Sequence, residues 1–323
     1  MHVTVCMPAF NSERTIASSV SSVLAQTHCD TSLLVYDDGS TDSTASLVSE
    51  IARADRRVSI IRSSTNRGRG YARRALLEEA AKSLIAWQDS DDIWHPDKLR
   101  SQLRAYLRRA SDMGSGAFVL LSTLTRVFRP HNTAVSRPDR SILGKAWAKA
   151  LIPPRQFDIE HIYSTRFAEC PFQLQATLAP ATVYHRCGSF DSALKWAEDM
   201  DLAIRLNLCG IPILGHRSRI PVATYFVNEP SVSARELHDN ITHIVTRYRH
   251  RRALRNVDVD GNLFWRRMNY IFKMALVKQD YDFAKELLAI AASGRLSRQQ
   301  RELVQSNAGL LQKSFARTRD RVR

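Results

Sequence analysis

The 323-residue sequence has no apolar run close to the roughly 20 residues that a membrane-crossing helix needs. Its first ten residues, MHVTVCMPAF, read as a strand and lack the basic-then-apolar layout of a secretion signal. Cysteine is sparse: Cys6, Cys29, Cys170, Cys187 and Cys209 are odd in number and scattered, with neither metal-ligand spacing nor a disulfide framework. A reducing compartment is expected, with all five acting as small buried hydrophobes. Two glycine-rich phosphate loops are also missing. No GxGxxG follows the first strand, which argues against a dinucleotide fold of the usual kind, and no GxxxxGK[ST] supports a P-loop nucleotidase. Negative charge is in deficit, 32 acidic against 47 basic residues, for a net charge of +15. Such a balance suits an anionic partner without choosing among nucleic acid, anionic lipid and phosphorylated substrates.

What is present centres on Leu84–Leu99, LIAWQDSDDIWHPDKL. The apolar run Leu84–Trp87 fits a buried strand and ends in Asp89-Ser90-Asp91-Asp92. Pro96 then opens a helix, with Asp97 in its first turn and Leu99, Leu103 and Leu107 at helical spacing. Three carboxylates at a strand end repel one another unless something positive binds. A hard divalent cation, itself holding a phosphate, meets that need. Upstream, strand and helix signals alternate. Val3–Met7 is a strand, and Asn11 or Ser12 caps a helix carrying Ile16, Val20, Val23 and Leu24. Ser32–Tyr36 is a second strand ending in Asp37-Asp38-Gly39-Ser40, after which Asp42 or Ser43 starts a helix. Val58–Arg62 is a third strand, followed by a basic loop, Asn66-Arg67-Gly68-Arg69-Gly70, and a helix through Ala81. This rhythm predicts an α/β fold with a mostly parallel sheet and helices on both faces. Such sheets bind ligands beyond the carboxyl ends of their strands, where both acidic clusters fall.

Four stretches in this order, VTVCMPAFNSERTIASSVSSVLAQT, LLVYDDGSTDST, NRGRGYARRAL and WQDSDDIWHPDKL, resemble the nucleotide-sugar-binding half of family-2 glycosyltransferases, which have the GT-A fold. The resemblance runs from Val3 to about Leu103 and resumes near Ala181. Arg73-Arg74 stands where the family often has Arg-Asn, and Lys82-Ser83 replaces the usual glycine before the fourth strand. The resemblance implies that Pro8, Ala9, Phe10 and Asn11 line the nucleotide pocket. It implies that Asp38, with Asp37 beside it, accepts a hydrogen bond from the base. Asn66, Arg67, Gly68 and Arg73 are implied at the donor, together with Asp89, Ser90 and Asp91. Asp91, with Asp89, is the implied holder of Mn²⁺ or Mg²⁺, while Asp92 is expected to bond locally near the next helix. Further on, Gly188-Ser189-Phe190-Asp191 and Trp196-Ala197-Glu198-Asp199 resemble the family's acceptor-site motifs. Asp199 is then the implied general base and Glu198 its supporting carboxylate. Asp201 is read as a helix cap, since first-turn acids also complement the helix dipole.

These readings divide the chain into a GT-A domain, 1–236, with a nucleotide-sugar half (1–110) and an acceptor half (111–236), and a basic helical region, 237–323. The stretch Gly116–Phe128 reads as a strand. From Leu237 onward there are 18 basic and 8 acidic residues. That excess leaves two readings level, docking on an anionic membrane and a solvated helical cap. The expected activity is metal-dependent, inverting transfer from a nucleoside-diphosphate sugar, with UDP-sugars first, to a saccharide or lipid-linked acceptor. Surface polysaccharide or glycolipid assembly at the cytoplasmic side is the implied setting, and nucleic acid is not an expected partner. One rival, a sugar-nucleotide pyrophosphorylase, carries a glycine-rich phosphate loop after its first strand, where this sequence has Pro8-Ala9-Phe10-Asn11. The other, a basic nucleic-acid- or membrane-binding module without catalysis, leaves the four ordered motifs unexplained.

Overall fold

A computed structural model of the chain describes residues 1–80, 83–113, 118–128, 148–157, 172–194 and 197–227, together with 239, 271–273, 275–276, 280–292, 301–302 and 304–313. Two compact units are distinguished, Met1–Ile162 with Cys170–Asn228, and Tyr163–Glu169 with Glu229–Arg323.

The first unit begins with β1 (Val3–Ala9), α1 (Ile16–Leu24), β2 (Thr31–Asp37), α2 (Thr44–Ala54), β3 (Val58–Arg62), α3 (Arg69–Glu79) and β4 (Leu84–Trp87). Strands β3, β2, β1 and β4 lie side by side in parallel, as the alternating pattern predicts. Burial follows position in the sheet. β1 and β4 sit centrally and are buried almost throughout, whereas the edge strand β3 buries only Val58 and exposes Ser59 and Arg62. The chain continues through β5 (Ile93–Trp94), α4 (Lys98–Met113), β6 (Val119–Ser122), β7 (Leu124–Phe128), β8 (Ala148–Leu151) and β9 (Gln156–Phe157). β10 (Thr177–Pro180), α5 (Ala181–Arg186), α6 (Glu198–Leu208), β11 (Ile213–His216) and β12 (Ala223–Val227) complete it. β10 runs antiparallel between β4 and β6, extending the sheet to the order β3-β2-β1-β4-β10-β6-β11-β9. A second sheet has the order β5-β12-β7-β8.

Several local expectations change. The single strand expected over Gly116–Phe128 breaks at Thr123 into β6 and β7, which join different sheets. Helix α1 starts three residues later than a cap at Ser12 implies, because a preceding turn ends with Thr15 N–H and Ile16 N–H both donating to the Ser12 carbonyl. In α4 the apolar stripe passes through Leu99, Leu103 and Tyr106, leaving Leu107 exposed, since a 3.6-residue period drifts off a strict four-residue spacing. Cys6 and Cys187 are buried as expected, but Cys29, in the loop before β2, and Cys209, at the end of α6, lie on the surface; Cys170 is outside the described residues. The helix expected through Ala81 ends at Glu79, and Ala81 and Lys82 are outside the described residues.

In the second unit, α7 (Tyr281–Ala292) buries Phe283, Ala284 and Leu287 at helical spacing, and Ile271, Phe272 and Ala275 are buried as well. Asp280 caps α7, its carboxylate accepting the Phe283 N–H at 3.2 Å.

Candidate active site

The acidic clusters meet because β1, β2 and β4 are adjacent and parallel, so their carboxyl ends open on one edge of the sheet. Hydrogen bonds tie the three ends together. Asn11 N–H donates to Ser40 Oγ (3.0 Å), and Thr41 N–H donates to Asn11 Oδ1 (2.9 Å). Ser12 Oγ meets Ser90 Oγ at 2.7 Å, joining the end of β1 to the acidic loop after β4. Phe10 is exposed and Pro8 half-buried at this rim, while Ala9 belongs to the core.

Asp37 is buried and turns back on its own loop, accepting Ser40 N–H at 3.3 Å. Asp38 accepts the backbone N–H groups of Arg67 (2.9 Å) and Gly68 (2.8 Å), so it first of all fixes the basic loop. Asn66 adds a bond to Gly68 N–H (3.1 Å). The Arg67 guanidinium lies 3.5 Å above the Tyr71 ring, which in turn packs edge-on against Tyr36. Burial raises the Asp38 pKa, partly offset by those N–H donors. A carboxylate offers about four acceptor directions, so two remain beyond these bonds.

The four polar residues after β4 divide their work. Contrary to expectation, the Asp92 carboxylate does not bond near the next helix. It is fully buried and reaches across the molecule, accepting Phe226 N–H of β12 and Gln175 Nε2, each at 2.9 Å. Burial, followed by the charges of Asp91 and Asp89, pushes its pKa well up. Asp92 thus anchors the acidic loop to the second sheet, leaving Asp89 and Asp91 half-buried at the cleft.

Arg73 is the residue whose role sequence reasoning missed. Expected at the donor, it is buried, with Nη2 on Asp89 Oδ1 (2.7 Å) and Nη1 on Glu198 Oε1 (2.5 Å). It therefore links the nucleotide-sugar motif to the acceptor motif 125 residues later. The signal was available: Arg73 shares the buried stripe of α3 with Gly70, Ala72, Leu76 and Leu77, an unusual place for a cation. Burial opposes its charge, but Glu198 and Asp89 outweigh that and hold its pKa above the ordinary value. The two halves also touch through backbone. Gly70 N–H donates to Leu194 O at 3.2 Å, and a Cβ on Gly70 would lie 2.2 Å from Asp191 O, so only glycine permits this approach.

Helix α6 carries Glu198 and Asp199 in its first turn. Its N-cap, Ala197, has φ 60°, a left-handed conformation that costs an L-residue about 1–2 kcal/mol. Among the described residues the other non-glycine positions of this kind are Asn11 and Ser189, both in loops that carry motifs of the site. Asp199 accepts Met200 N–H at 2.7 Å. Burial and then the negative charge of Glu198 raise its pKa to about 6, against the opposing pull of Arg73. Asp201 does not cap the helix. It is buried and pairs with Arg205, whose Nη1 clamps the Cys187 and Ser189 carbonyls at 2.5 Å each. That clamp fixes the Gly188–Asp191 loop, from which Phe190 packs on Trp87 with ring centroids 5.0 Å apart. Trp196 lies outside the described residues. The helix ends just before Gly210, which has φ 66°, with Ile211 N–H donating to Leu206 O.

The arrangement is thus a cleft with two oxygen-bearing carboxylates on one side and a carboxylate of raised pKa on the other, braced by one buried arginine. Among the described residues no group of three or more His, Cys, Asp or Glu side chains is set to hold a metal alone.

Comparison with known proteins agrees with this architecture. Residues 4–158 match the family described as glycosyl transferase family 2. A curated relative, the Escherichia coli UDP-Glc:alpha-D-GlcNAc-diphosphoundecaprenol beta-1,3-glucosyltransferase WfgD, is 37% identical over 120 residues, covering 37% of this chain and 47% of its own. The chain spans about half the length of this relative and of a Bacillus subtilis one described as a putative teichuronic acid biosynthesis glycosyltransferase, TuaG. Among solved structures, S. aureus TarS 1-349 in complex with UDP-GlcNAc superposes with a TM-score of 0.56 at 16% identity, over 97% of this chain and 81% of that one. The Pyrobaculum calidifontis mannosyltransferase PcManGT, in complex with GDP-Man and Mn²⁺, gives 0.52 at 17% identity, over 96% and 80%. The order of motifs, the strand-end cleft and these matches agree: the chain carries a family-2 glycosyltransferase domain, matched over residues 4–158, on a GT-A fold.

Proposed function

We propose that this protein is an inverting glycosyltransferase that moves a sugar from a nucleoside-diphosphate sugar, a UDP-sugar first, to a hydroxyl of a saccharide or lipid-linked acceptor. The observation that carries the reading is the Arg73 bridge, which places Asp89 and the Glu198–Asp199 pair around one buried cation at the strand ends. The named activity of the E. coli relative, on a UDP-glucose donor and a diphosphoundecaprenol-linked acceptor, supports this choice of substrates and a place in envelope polysaccharide or glycolipid assembly.

The donor half is built from Phe10, Asn11, Asp37, Asp38 and the Asn66–Gly68 loop, with Asp89, Ser90 and Asp91 facing the diphosphate. Arg73 acts from behind as a positioning residue. Oxygen-only side chains at Asp89 and Asp91 fit Mn²⁺ or Mg²⁺, hard cations that take one or two carboxylates and complete their shell with substrate phosphates. When bound there, the metal would supply Lewis-acid neutralisation of the leaving diphosphate. Asp199 removes the proton from the acceptor hydroxyl as that oxygen attacks the anomeric carbon, since a sugar hydroxyl is otherwise a poor nucleophile. Glu198, paired with Arg73, supports the acceptor side, and its negative charge keeps Asp199 basic.

The reading is tested by screening UDP-, GDP- and dTDP-sugars with Mn²⁺ for thermal stabilisation and slow hydrolysis; no response from any donor would overturn it. Within that screen, Asp91→Asn is expected to abolish the Mn²⁺-dependent gain in UDP affinity measured by calorimetry, with the melting temperature nearly unchanged. Equal metal-dependent affinity in the variant would remove Asp91 from this role.

We also propose that the basic region after Leu237 holds the enzyme peripherally at the cytoplasmic face of an anionic membrane. No described helix is long and apolar enough to cross a bilayer. Sedimentation with anionic liposomes should weaken as salt rises past the screening length and should drop when residues 237–323 are removed. Equal sedimentation of both chains at low salt would refute the docking role.

A further inference from the structure

A cavity of about 560 Å³ lies in the first unit beside α4, and none of the carboxylates of the candidate active site lines it. Helix α4 packs against β6 and β10, and its outer side presents Arg100, Arg104 and Arg108 at four-residue spacing, with Arg109 adjacent. Arg155 and Arg217 face the same cavity from the loops before β9 and after β11. Like charges at this spacing repel, and Arg100 alone of the α4 four is ion-paired among the described residues, to Asp97 at 2.7 Å. Asp112 is the other acid in the lining.

The convergence is constructed by the backbone. Gly215 N–H donates to Arg155 O at 2.8 Å, and a Cβ on Gly215 would lie 1.8 Å from Pro154 O. Only glycine lets the 153–155 segment come this close, and Arg217 Nε pins it by donating to Pro153 O at 3.2 Å. At the floor His216 Nε2 meets Ser101 Oγ at 3.2 Å. Burial and then Arg108 and Arg109 lower the pKa of His216, so the positive field of the arginines is felt inside. The lining cations are six arginines and no lysine. Planar guanidinium forks match phosphate oxygens two at a time, which a point-charge ammonium does not. The volume is larger than a phosphate or diphosphate needs and leaves room for the group that carries it.

We propose that this cavity is a second anion site, which binds a phosphate or diphosphate group independently of the donor cleft. The group belongs either to a soluble phosphorylated ligand or to a lipid headgroup.

The test uses the full chain and inorganic pyrophosphate without divalent metal, so that the cleft carboxylates do not contribute. Calorimetry is expected to show saturable binding that weakens about tenfold for each arginine lost in Arg104→Gln and Arg155→Gln, the worth of one charge-assisted hydrogen bond. Arg53→Gln, an exposed arginine on α2, should change nothing. In a second arm, vesicles containing phosphatidic acid are compared with phosphatidylserine vesicles of equal charge. Loss of retention on phosphatidic acid alone in the same variants assigns the phosphate to a lipid, and loss of pyrophosphate affinity alone assigns it to a soluble ligand. Unchanged binding in both arms, or equal weakening by Arg53→Gln, overturns the proposal. Neither readout involves sugar transfer, so failure here leaves the proposed activity standing.

Discussion

Replacing Asp199 with asparagine is expected to lower kcat by about 10²–10⁴-fold, the usual contribution of a positioned base, while donor affinity stays near wild type. Asparagine preserves the shape and an acceptor oxygen for Met200 N–H, so a packing explanation is excluded by an unchanged melting temperature. The pH profile supplies an independent check. Asp199 works only when deprotonated, and its pKa is raised to about 6. The wild-type rate should therefore fall as pH drops through about 6, and that acid limb should vanish in the variant. The same shift has a stability consequence of definite sign. A carboxyl whose folded-state pKa is raised binds its proton more tightly when folded, so ionising it opposes folding. That cost is absent below the ordinary carboxylate range and complete above about pH 6. Glu198→Gln is expected to reduce turnover less. Full transfer by Asp199→Asn would move the base elsewhere, with Glu198 the first candidate.

The second large effect belongs to Arg73. Arg73→Leu leaves the Glu198 carboxyl buried with its cation gone, and breaking a buried pair in this way costs about 3–5 kcal/mol. Against a whole-domain stability of about 5–15 kcal/mol, this lowers the urea midpoint substantially. The double variant Arg73→Leu/Glu198→Gln should recover much of the loss, because the stranded charge has been neutralised. A single variant as stable as wild type would show that the bridge carries little weight. Arg73→Lys, which keeps the charge but not the fork, should fold and yet let Asp89 and Glu198 relax apart, so its deficit should appear in kcat more than in the midpoint. Loss of the Arg73 charge also removes a group that opposes the rise of the Asp199 pKa, so the acid limb of the rate should move to higher pH in Arg73→Leu.

Much of this architecture was written locally. The first four strands and their helices follow from apolar runs and periodicity, which depend on neighbours in sequence. The acidic ends of β2 and β4 are legible for the same reason, since a parallel sheet must bring them to one edge. The Gly188–Asp191 and Glu198–Asp199 motifs were legible only through family resemblance, because acids in a first helical turn have an ordinary cause in the helix dipole.

What each charged residue does was a different matter. Asp89, Asp91 and Asp92 are nearly identical in sequence context, yet Asp92 is fully buried under β12 while the other two face the cleft. Arg73 and Arg74 are neighbours, but a rotation of one residue on α3 buries the first between two carboxylates and leaves the second on a surface pair with Glu78. Asp201 and Asp199 share a helical turn, and Arg205 claims the former. The arginines around the cavity beside α4 come from three separate segments that no spacing rule connects. The sequence by itself determined the strands, the helices and the edge of the sheet where the chemistry falls, since these depend on local periodicity and chain connectivity. Which carboxylate is anchor, brace or base was decided only by the tertiary structure, because burial and partner charge are set by segments more than a hundred residues apart.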